Sequence, residues 1–349
     1  MSPDPAARSD ISRFEPRCLL IGEESLVVQC AVMLRGAGVA VVGVASAAAE
    51  VRSMAVSEGF DVVDTDATTL LDALRAAEAT VLVSAAHLEM IPGEALDAVE
   101  VAMNFHDGPL PTYAGLNVTT WAIHNGESRH AVNWHLMERA ADSGEVLATE
   151  AFDITPDDTA FTLNARCYEA GVRAFESIVA MLADGRVVTS PQPAGERRQY
   201  RRAERPFLVL DPAGDAAGQI RTAQALDLGD RYANGVGAPR LVIDDTAYAV
   251  SVVAAPGDAP AGRILAADQT LRIAVAGGAF DIADIQTMPA GDALRPADLL
   301  ARHGLAIGGD WPSPPDLSGA VAADDAVATA ERGWVARLAH FDAADPAML

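Results

Sequence analysis

Asn104-Phe105-His106 places an amide and an imidazole two residues apart at the end of an apolar run. Residues two apart in a strand share a face, so both side chains would point the same way. The run over 99–105 reads as that strand. The following Asp107-Gly108-Pro109-Leu110-Pro111 reads as a loop, because proline has no backbone N–H to continue a ladder. Farther on, Ala140-Ala141-Asp142-Ser143-Gly144 reads as a turn from which Asp142 could reach back. An amide, an imidazole and a carboxylate converging at strand ends can stabilise an oxyanion and move a proton. The same residues could instead make hydrogen bonds that only stabilise the loop.

The elements that must position these residues alternate along the chain. Strands are expected over 18–22, 39–44, 60–63, 80–84 and 99–105, with helices over 26–35, 47–58 and 68–77. This alternation argues for an α/β fold with a mostly parallel twisted sheet and helices on both faces. Apolar runs such as Val81-Leu82-Val83 suit strands covered on both sides. A helix over 116–124, strands over 130–137 and 146–152, and an amphipathic helix over 159–184 complete a region of residues 1–190. In such sheets ligands bind outside the carboxyl ends of strands, which raises the interest of Asn104 and His106. Gly36-Ala37-Gly38 follows a helix and lacks a third glycine, so a nicotinamide cofactor is not expected. Residues 191–206 hold Pro, Gly, Arg197, Arg198, Arg201, Arg202 and Arg205, and read as a linker. Short strands over 240–243, 248–253, 262–266, 271–274 and 280–286 suit a small β-barrel within 207–288. Residues 289–349 read as a tail with a helical stretch over 324–341.

Composition narrows the chemistry. The chain has 349 residues, half of them apolar, enough for two domains or slightly more. All 25 basic residues are Arg, which excludes Schiff-base chemistry and the lysine-dependent phosphate loop. With 49 acidic residues the formal charge is −24, which disfavours a nucleic-acid partner. Cys18, Cys30 and Cys167 are too few and too scattered for a disulfide framework, and read as small buried residues in a reducing compartment. The charged, Pro-containing start lacks a signal core, and there is no apolar run of about 18 residues. A cytoplasmic protein that does not span a membrane is expected.

The stretch from Asn104 to Gly115, with Leu110-Pro111-Thr112-Tyr113-Ala114-Gly115 closing its loop, resembles the signature of the 10-formyltetrahydrofolate-dependent formyltransferases. Asn125-Gly126-Glu127, after a helix, resembles the family's Asn-Gly-Glu turn, and the segment from His135 to Gly144 resembles its Asp-x-Gly segment. The likeness runs from about Arg17 to Met288 and is greatest to the branch of methionyl-tRNA and aminoarabinose formyltransferases. It implies a Rossmann-like catalytic region followed by an OB-like barrel.

The resemblance implies Asn104, His106 and Asp142 as the catalytic trio. An amine would attack the formyl carbon. Asn104 and protonated His106 would stabilise the oxyanion, and His106 would carry the proton from amine to leaving nitrogen. No metal is expected. The 10-formyltetrahydrofolate pocket is implied at His87, Leu88, Glu89, Met90 and Ile91, together with Glu138, Arg139, Ala140 and Ala141. A flat pterin needs apolar walls and backbone groups at its hydrogen-bonding edge. His135 reads as structural, His124 and His130 as surface or turn residues, and Asp107 and Glu127 as solvated. The family often carries Arg where this chain has Ala114, and Ser where it has Gly108.

Trp334-Val335-Ala336-Arg337-Leu338 resembles the lead-in to condensation domains of nonribosomal peptide synthetases. The acceptor expected is therefore an aminoacyl amine on a carrier protein, with the linker arginines as a docking patch or simply a solvated charged stretch. Alternatives are a free amine such as a hydroxyornithine or an amino sugar, hydrolysis of the formylfolate, or a binding module that has lost turnover.

Overall fold

The computed structural model describes residues 10–12, 14–201, 204–229, 237–244, 246–288 and 291–314. The expected tail helix over 324–341, with Trp334, lies outside the described residues, as does Arg202. The chain divides into two compact units. The first comprises Met1–Thr119, Glu127–Asp157 and Thr162–Tyr200; the second comprises Thr120–Gly126, Asp158–Phe161 and the chain from Arg201 onward.

In chain order the elements up to residue 200 are β1 (Asp10–Ser12), β2 (Arg17–Ile21), α1 (Ser25–Gly36), β3 (Ala40–Ala45), α2 (Ala49–Ser57), β4 (Val62–Val63), α3 (Ala67–Ala76) and β5 (Val81–Ser84). They continue with α4 (Gly93–Leu96), β6 (Val101–His106), β7 (Ala114–Gly115), α5 (Val118–His124), β8 (Arg129–Leu136), β9 (Val146–Asp153), α6 (Ala160–Ala183), β10 (Arg186–Val188) and β11 (Gln199–Tyr200). Seven strands form one sheet in the order β4-β3-β2-β5-β6-β8-β9. The pairs from β4 to β6 are parallel, while β6–β8 and β8–β9 are antiparallel. β2 is flanked by β3 on one side and β5 on the other, so the direction of winding reverses there, and ligands of such sheets bind outside the carboxyl ends.

Strand alternation explains why both faces are covered. Cys18, Leu20, Val81 and Val83 face a core shared with α1 and α6, whereas Leu19, Ile21 and Leu82 face one shared with α3 and α4. Asp66 starts α3 by accepting the backbone N–H of Thr69 at 3.1 Å. Behind β6 and β8 an aromatic stack forms. The Phe105 and Trp134 rings are 5.4 Å apart, Trp134 and Phe175 are 4.7 Å apart, and Trp134 Nε1 donates to Gly171 O at 3.0 Å. Each such pair adds about 0.5–1.5 kcal/mol beyond its buried area and makes a firm backing for whatever the opposite face carries. Cys18, Cys30 and Cys167 are all buried, and burial pushes the Cys18 thiol up to about 12, which leaves it unreactive.

The second unit contains α7 (Ala216–Leu226), β12 (Arg240–Ile243), β13 (Thr246–Ala255), β14 (Ile264–Ala267), β15 (Leu271–Val275), β16 (Gly278–Thr287) and α8 (Pro296–Arg302). Its strands form an antiparallel sheet, β12-β13-β16-β15-β14, consistent with a small barrel-like domain. Tyr248, Ile273, Phe280 and Ile282 are buried in its core beside Leu299 of α8. The strands expected here all form, and α7 and α8 are added to them; α7 carries few large apolar residues, and α8 is a short helix of seven residues. No helix among the described residues is long and apolar enough to cross a membrane.

Candidate active site

The register of β6 against β8 builds the site. Asn104 pairs with His135 and His106 with Asn133, so four polar side chains share one face while Phe105 and Trp134 occupy the other. Asn104 is oriented from both sides. Ser84 Oγ, at the end of β5, donates to its Oδ1 at 2.7 Å, and its Nδ2 lies 3.3 Å from His135 Nε2. His135 Nδ1 donates to Leu136 O at 2.7 Å, since that carbonyl can only accept. Its Nε2 faces both the Asn104 amide and the Asp142 carboxylate. Asn133 anchors the loop: its Oδ1 accepts Leu110 N–H at 2.8 Å and its Nδ2 donates to Thr149 Oγ1 at 2.6 Å.

His106 is buried, and its Nε2 donates to Tyr113 O at 2.6 Å. In the neutral ring this leaves Nδ1 as the basic atom. Nδ1 stands 3.8 Å from Asp142 Oδ1 and 3.9 Å from Asp107 Oδ1, close enough for charge interaction but too long for a hydrogen bond. Asp142 Oδ1 is also 3.5 Å from His135 Nε2, and its Oδ2 accepts Gly115 N–H at 2.8 Å. Burial pushes the Asp142 carboxyl up, but His135, His106 and the Gly115 N–H together outweigh it and hold it well below the usual carboxylate range. Asp142 is thus a fixed negative charge between two imidazoles.

Asp142 lies in the left-handed backbone region, with φ 54°. That conformation costs roughly 1–2 kcal/mol for a residue with a Cβ, so surrounding contacts must hold it. The glycines of the two motifs have steric reasons. A Cβ at Gly115, where φ is 95°, would sit 2.0 Å from Tyr200 O, and one at Gly144 would sit 2.0 Å from Leu136 O. Gly115→Ala and Gly144→Ala are each expected to destabilise the chain by about 1–3 kcal/mol, read as a lower urea midpoint at unchanged slope. A midpoint indistinguishable from that of the unaltered chain would contradict the close approach.

The two departures at the loop fit their surroundings. Ala114 is fully buried, leaving no open space for a long side chain, and a Cβ at Gly108 would meet Tyr113 O at 2.7 Å. Several readings are corrected. His130 is buried rather than on the surface, with Nε2 donating to Asp107 O at 2.7 Å and its ring against Phe152 and Tyr113. Its pKa is lowered, chiefly by burial. His124 is half-buried, with Nδ1 3.2 Å from Thr222 Oγ1. Glu127 is exposed, as its solvated reading has it, and accepts the Tyr113 hydroxyl at 2.8 Å, whereas Asp107 is half-buried and faces His106. His135, read as structural, stands between Asn104 and Asp142. The missing signal was cross-strand register, which a single strand pattern does not carry.

The remaining candidates lie beyond the carboxyl end of β5 and after β8. His87 Nδ1 is 3.4 Å from Glu23 Oε1, and Ile91 is half-buried. Leu88 and Met90 are 67% and 66% exposed, a large apolar surface for residues beside a sheet end. Glu89 is exposed. Glu138 accepts the Ser143 hydroxyl at 3.0 Å, and Arg139 pairs with Asp97 at 2.7 Å, bringing the 138–142 loop against the segment after residue 91. Ala140 and Ala141 carry that loop toward Asp142, and Ala141 O accepts Arg197 Nη2 at 2.7 Å. Among the described residues no group of three or more His, Cys, Asp or Glu could hold a metal ion.

A family model for formyl transferase matches residues 19–179, the span that contains Asn104, His106, His135 and Asp142. The methionyl-tRNA formyltransferase of Burkholderia vietnamiensis (strain G4 / LMG 22486) is 30% identical over 249 residues, covering 70% of this chain and 74% of that protein. The chain belongs to the formyl transferase family. It is an enzyme of one-carbon transfer. Its fold is shared with HypX from Aquifex aeolicus, solved with tetrahydrofolic acid, at TM-score 0.57 and 17% identity over 87% of this chain. This formyl transferase spans 50% of the HypX chain. It also shares the fold of the Helicobacter canadensis N-formyltransferase, solved with folinic acid and dTDP-3-aminofucose, at TM-score 0.57 and 14% identity. There it covers 77% of this chain and 99% of the other.

Proposed function

We propose that this formyl transferase moves the formyl group of 10-formyltetrahydrofolate to an amine through Asn104, His106 and Asp142. The observation that carries the reading is one strand face on which an oriented amide donor and an imidazole Nδ1 stand beside a half-buried carboxylate. The folate supplies the formyl carbon as electrophile and a nitrogen leaving group. Asn104 Nδ2 donates to the formyl oxygen as charge gathers there. His106, fixed through Nε2 on Tyr113 O, takes the amine proton at Nδ1 and returns it to the departing nitrogen. Asp142 balances the charge that Nδ1 then carries.

Leu88, Met90 and Ile91 fit the walls of a pterin site, and the backbone of 138–142 fits its polar edge. The folate ligands of the two solved relatives support that assignment of the donor. The acceptor we propose is an aminoacyl amine on a carrier protein. The condensation-domain resemblance at 334–338 supports it, and the charge of −24 opposes tRNA. A small free amine is the second reading, favoured by the amino sugar in the Helicobacter canadensis structure.

The test is a panel assayed with 10-formyltetrahydrofolate: aminoacylated carrier, methionyl-tRNA, a dTDP-amino sugar, hydroxyornithine and no amine, read by mass spectrometry. Formylated carrier-bound amine is expected. Formylation of the sugar or hydroxyornithine alone would select the second reading, and formylated tRNA would overturn the charge argument. Formate released without amine would make the chain a hydrolase.

A further inference from the structure

The segment from Ser190 to Tyr200, composed like a linker, is laced to the catalytic loop. Gln192 Nε2 donates to Asp142 O at 2.8 Å and Gly144 O at 2.9 Å. Arg197 Nη1 donates to the same Asp142 carbonyl at 2.8 Å, and its Nη2 to Ala141 O at 2.7 Å and Gln199 Oε1 at 2.8 Å. The strand β11 then pairs in parallel with β7, which supplies the Gly115 N–H held by the Asp142 carboxylate. Tyr200 stacks on Tyr113, whose carbonyl holds His106 Nε2, with ring centroids 5.4 Å apart. Arg198 lies over the Tyr200 ring at 4.4 Å. The expected linker is therefore bound to the catalytic unit up to Tyr200, and Arg197, though exposed, gives both terminal nitrogens to groups of that unit.

We infer that Arg197 and Gln192 are positioning residues for the transfer reaction, setting the Asp142 carboxylate at His106 by clamping the Asp142 backbone. A left-handed, non-glycine residue has little intrinsic preference for its conformation, so the two donors on its carbonyl and the one on its carboxylate define where the charge sits. A guanidinium fork suits this task because its donors are rigidly spaced, matching two successive carbonyls. Losing it would let the turn relax toward the ordinary helical region and carry the carboxylate away from Nδ1. The apolar donor walls at Leu88, Met90 and Ile91 are built elsewhere, but the clamped backbone also forms the proposed polar edge of the donor site, so the affinity that should be spared is that for the amine.

The inference rests on the proposed reaction and is tested with the full chain and whichever amine the panel shows to be accepted. Arg197→Ala is expected to lower kcat by about 10–100-fold while changing KM for the amine less than about threefold. Gln192→Ala is expected to act in the same direction and less strongly, and serves if Arg197→Ala folds poorly. In an Asp142→Asn background, Arg197→Ala should cost less than about threefold more, because both changes remove one function. A kcat within twofold of the unaltered enzyme in both single variants, or losses that multiply in the double variant, would overturn the inference. Turnover by the unaltered chain, lost in His106→Ala, tests the reaction itself whatever Arg197 does.

Discussion

His106→Ala is expected to lower kcat/KM by roughly 10²–10⁴-fold, the usual contribution of a positioned general acid–base group. The imidazole is placed by one short bond from Nε2 to Tyr113 O, which leaves Nδ1 as the atom that exchanges protons. No other side chain substitutes for it. His135, whose ring centroid is 6.4 Å away, has its Nδ1 on Leu136 O and its Nε2 against Asn104. The stability cost should be modest, about 1–3 kcal/mol, because the unpaired Tyr113 carbonyl and a small cavity are the main losses. The variant is therefore expected to melt cooperatively and to recover part of its rate when free imidazole is added. A rate within a few-fold of the unaltered enzyme would remove His106 from the reaction.

Asn104→Asp should cost about 10²–10³-fold in kcat, with little change in KM for either substrate. The substitution is nearly isosteric, so packing on Ser84 and His135 survives. What changes is the sign of the group: an amide hydrogen aimed at a developing oxyanion becomes a carboxylate oxygen that repels it. Ser84 can still donate to one carboxylate oxygen, which fixes the repulsive orientation. Comparison of steady-state constants for Asn104→Asp and Asn104→Ala separates lost donation from added repulsion. Equal activity of all three would mean that the amide does not touch the reacting oxygen.

Much of this site was legible in the residues because its logic is local. Asn104 and His106 share a face by alternation alone, and the prolines after them end the strand. The parallel sheet followed from alternating apolar runs whose residues meet two different helical layers, as Leu19 and Leu20 do. What escaped was long-range or conformational. His135 looked structural because its significance lies in lying opposite Asn104, a pairing made across 31 residues of sequence. Ser84 was silent for the same reason, being placed by the β5–β6 register. The left-handed turn at Asp142 leaves no mark on composition, although Gly144 beside it does. The contacts of Arg197 escaped too: a Pro-, Gly- and Arg-rich stretch has the composition of a solvated linker, and Arg197 is exposed, yet its guanidinium finds backbone carbonyls. His130, near the start of β8, reads as a surface or turn residue because a histidine carries no burial preference strong enough to show in a short pattern.

The most direct measurement follows the formyl carbon itself. The purified chain is supplied with 10-formyltetrahydrofolate labelled with ¹³C in the formyl group, together with an accepted amine, and label is traced by mass spectrometry. Label is expected on the amine nitrogen in one-to-one amount with tetrahydrofolate formed, and in neither His106→Ala nor Asn104→Asp above trace level. Label that emerges as formate, or reaches the amine equally well in both variants, would contradict the account.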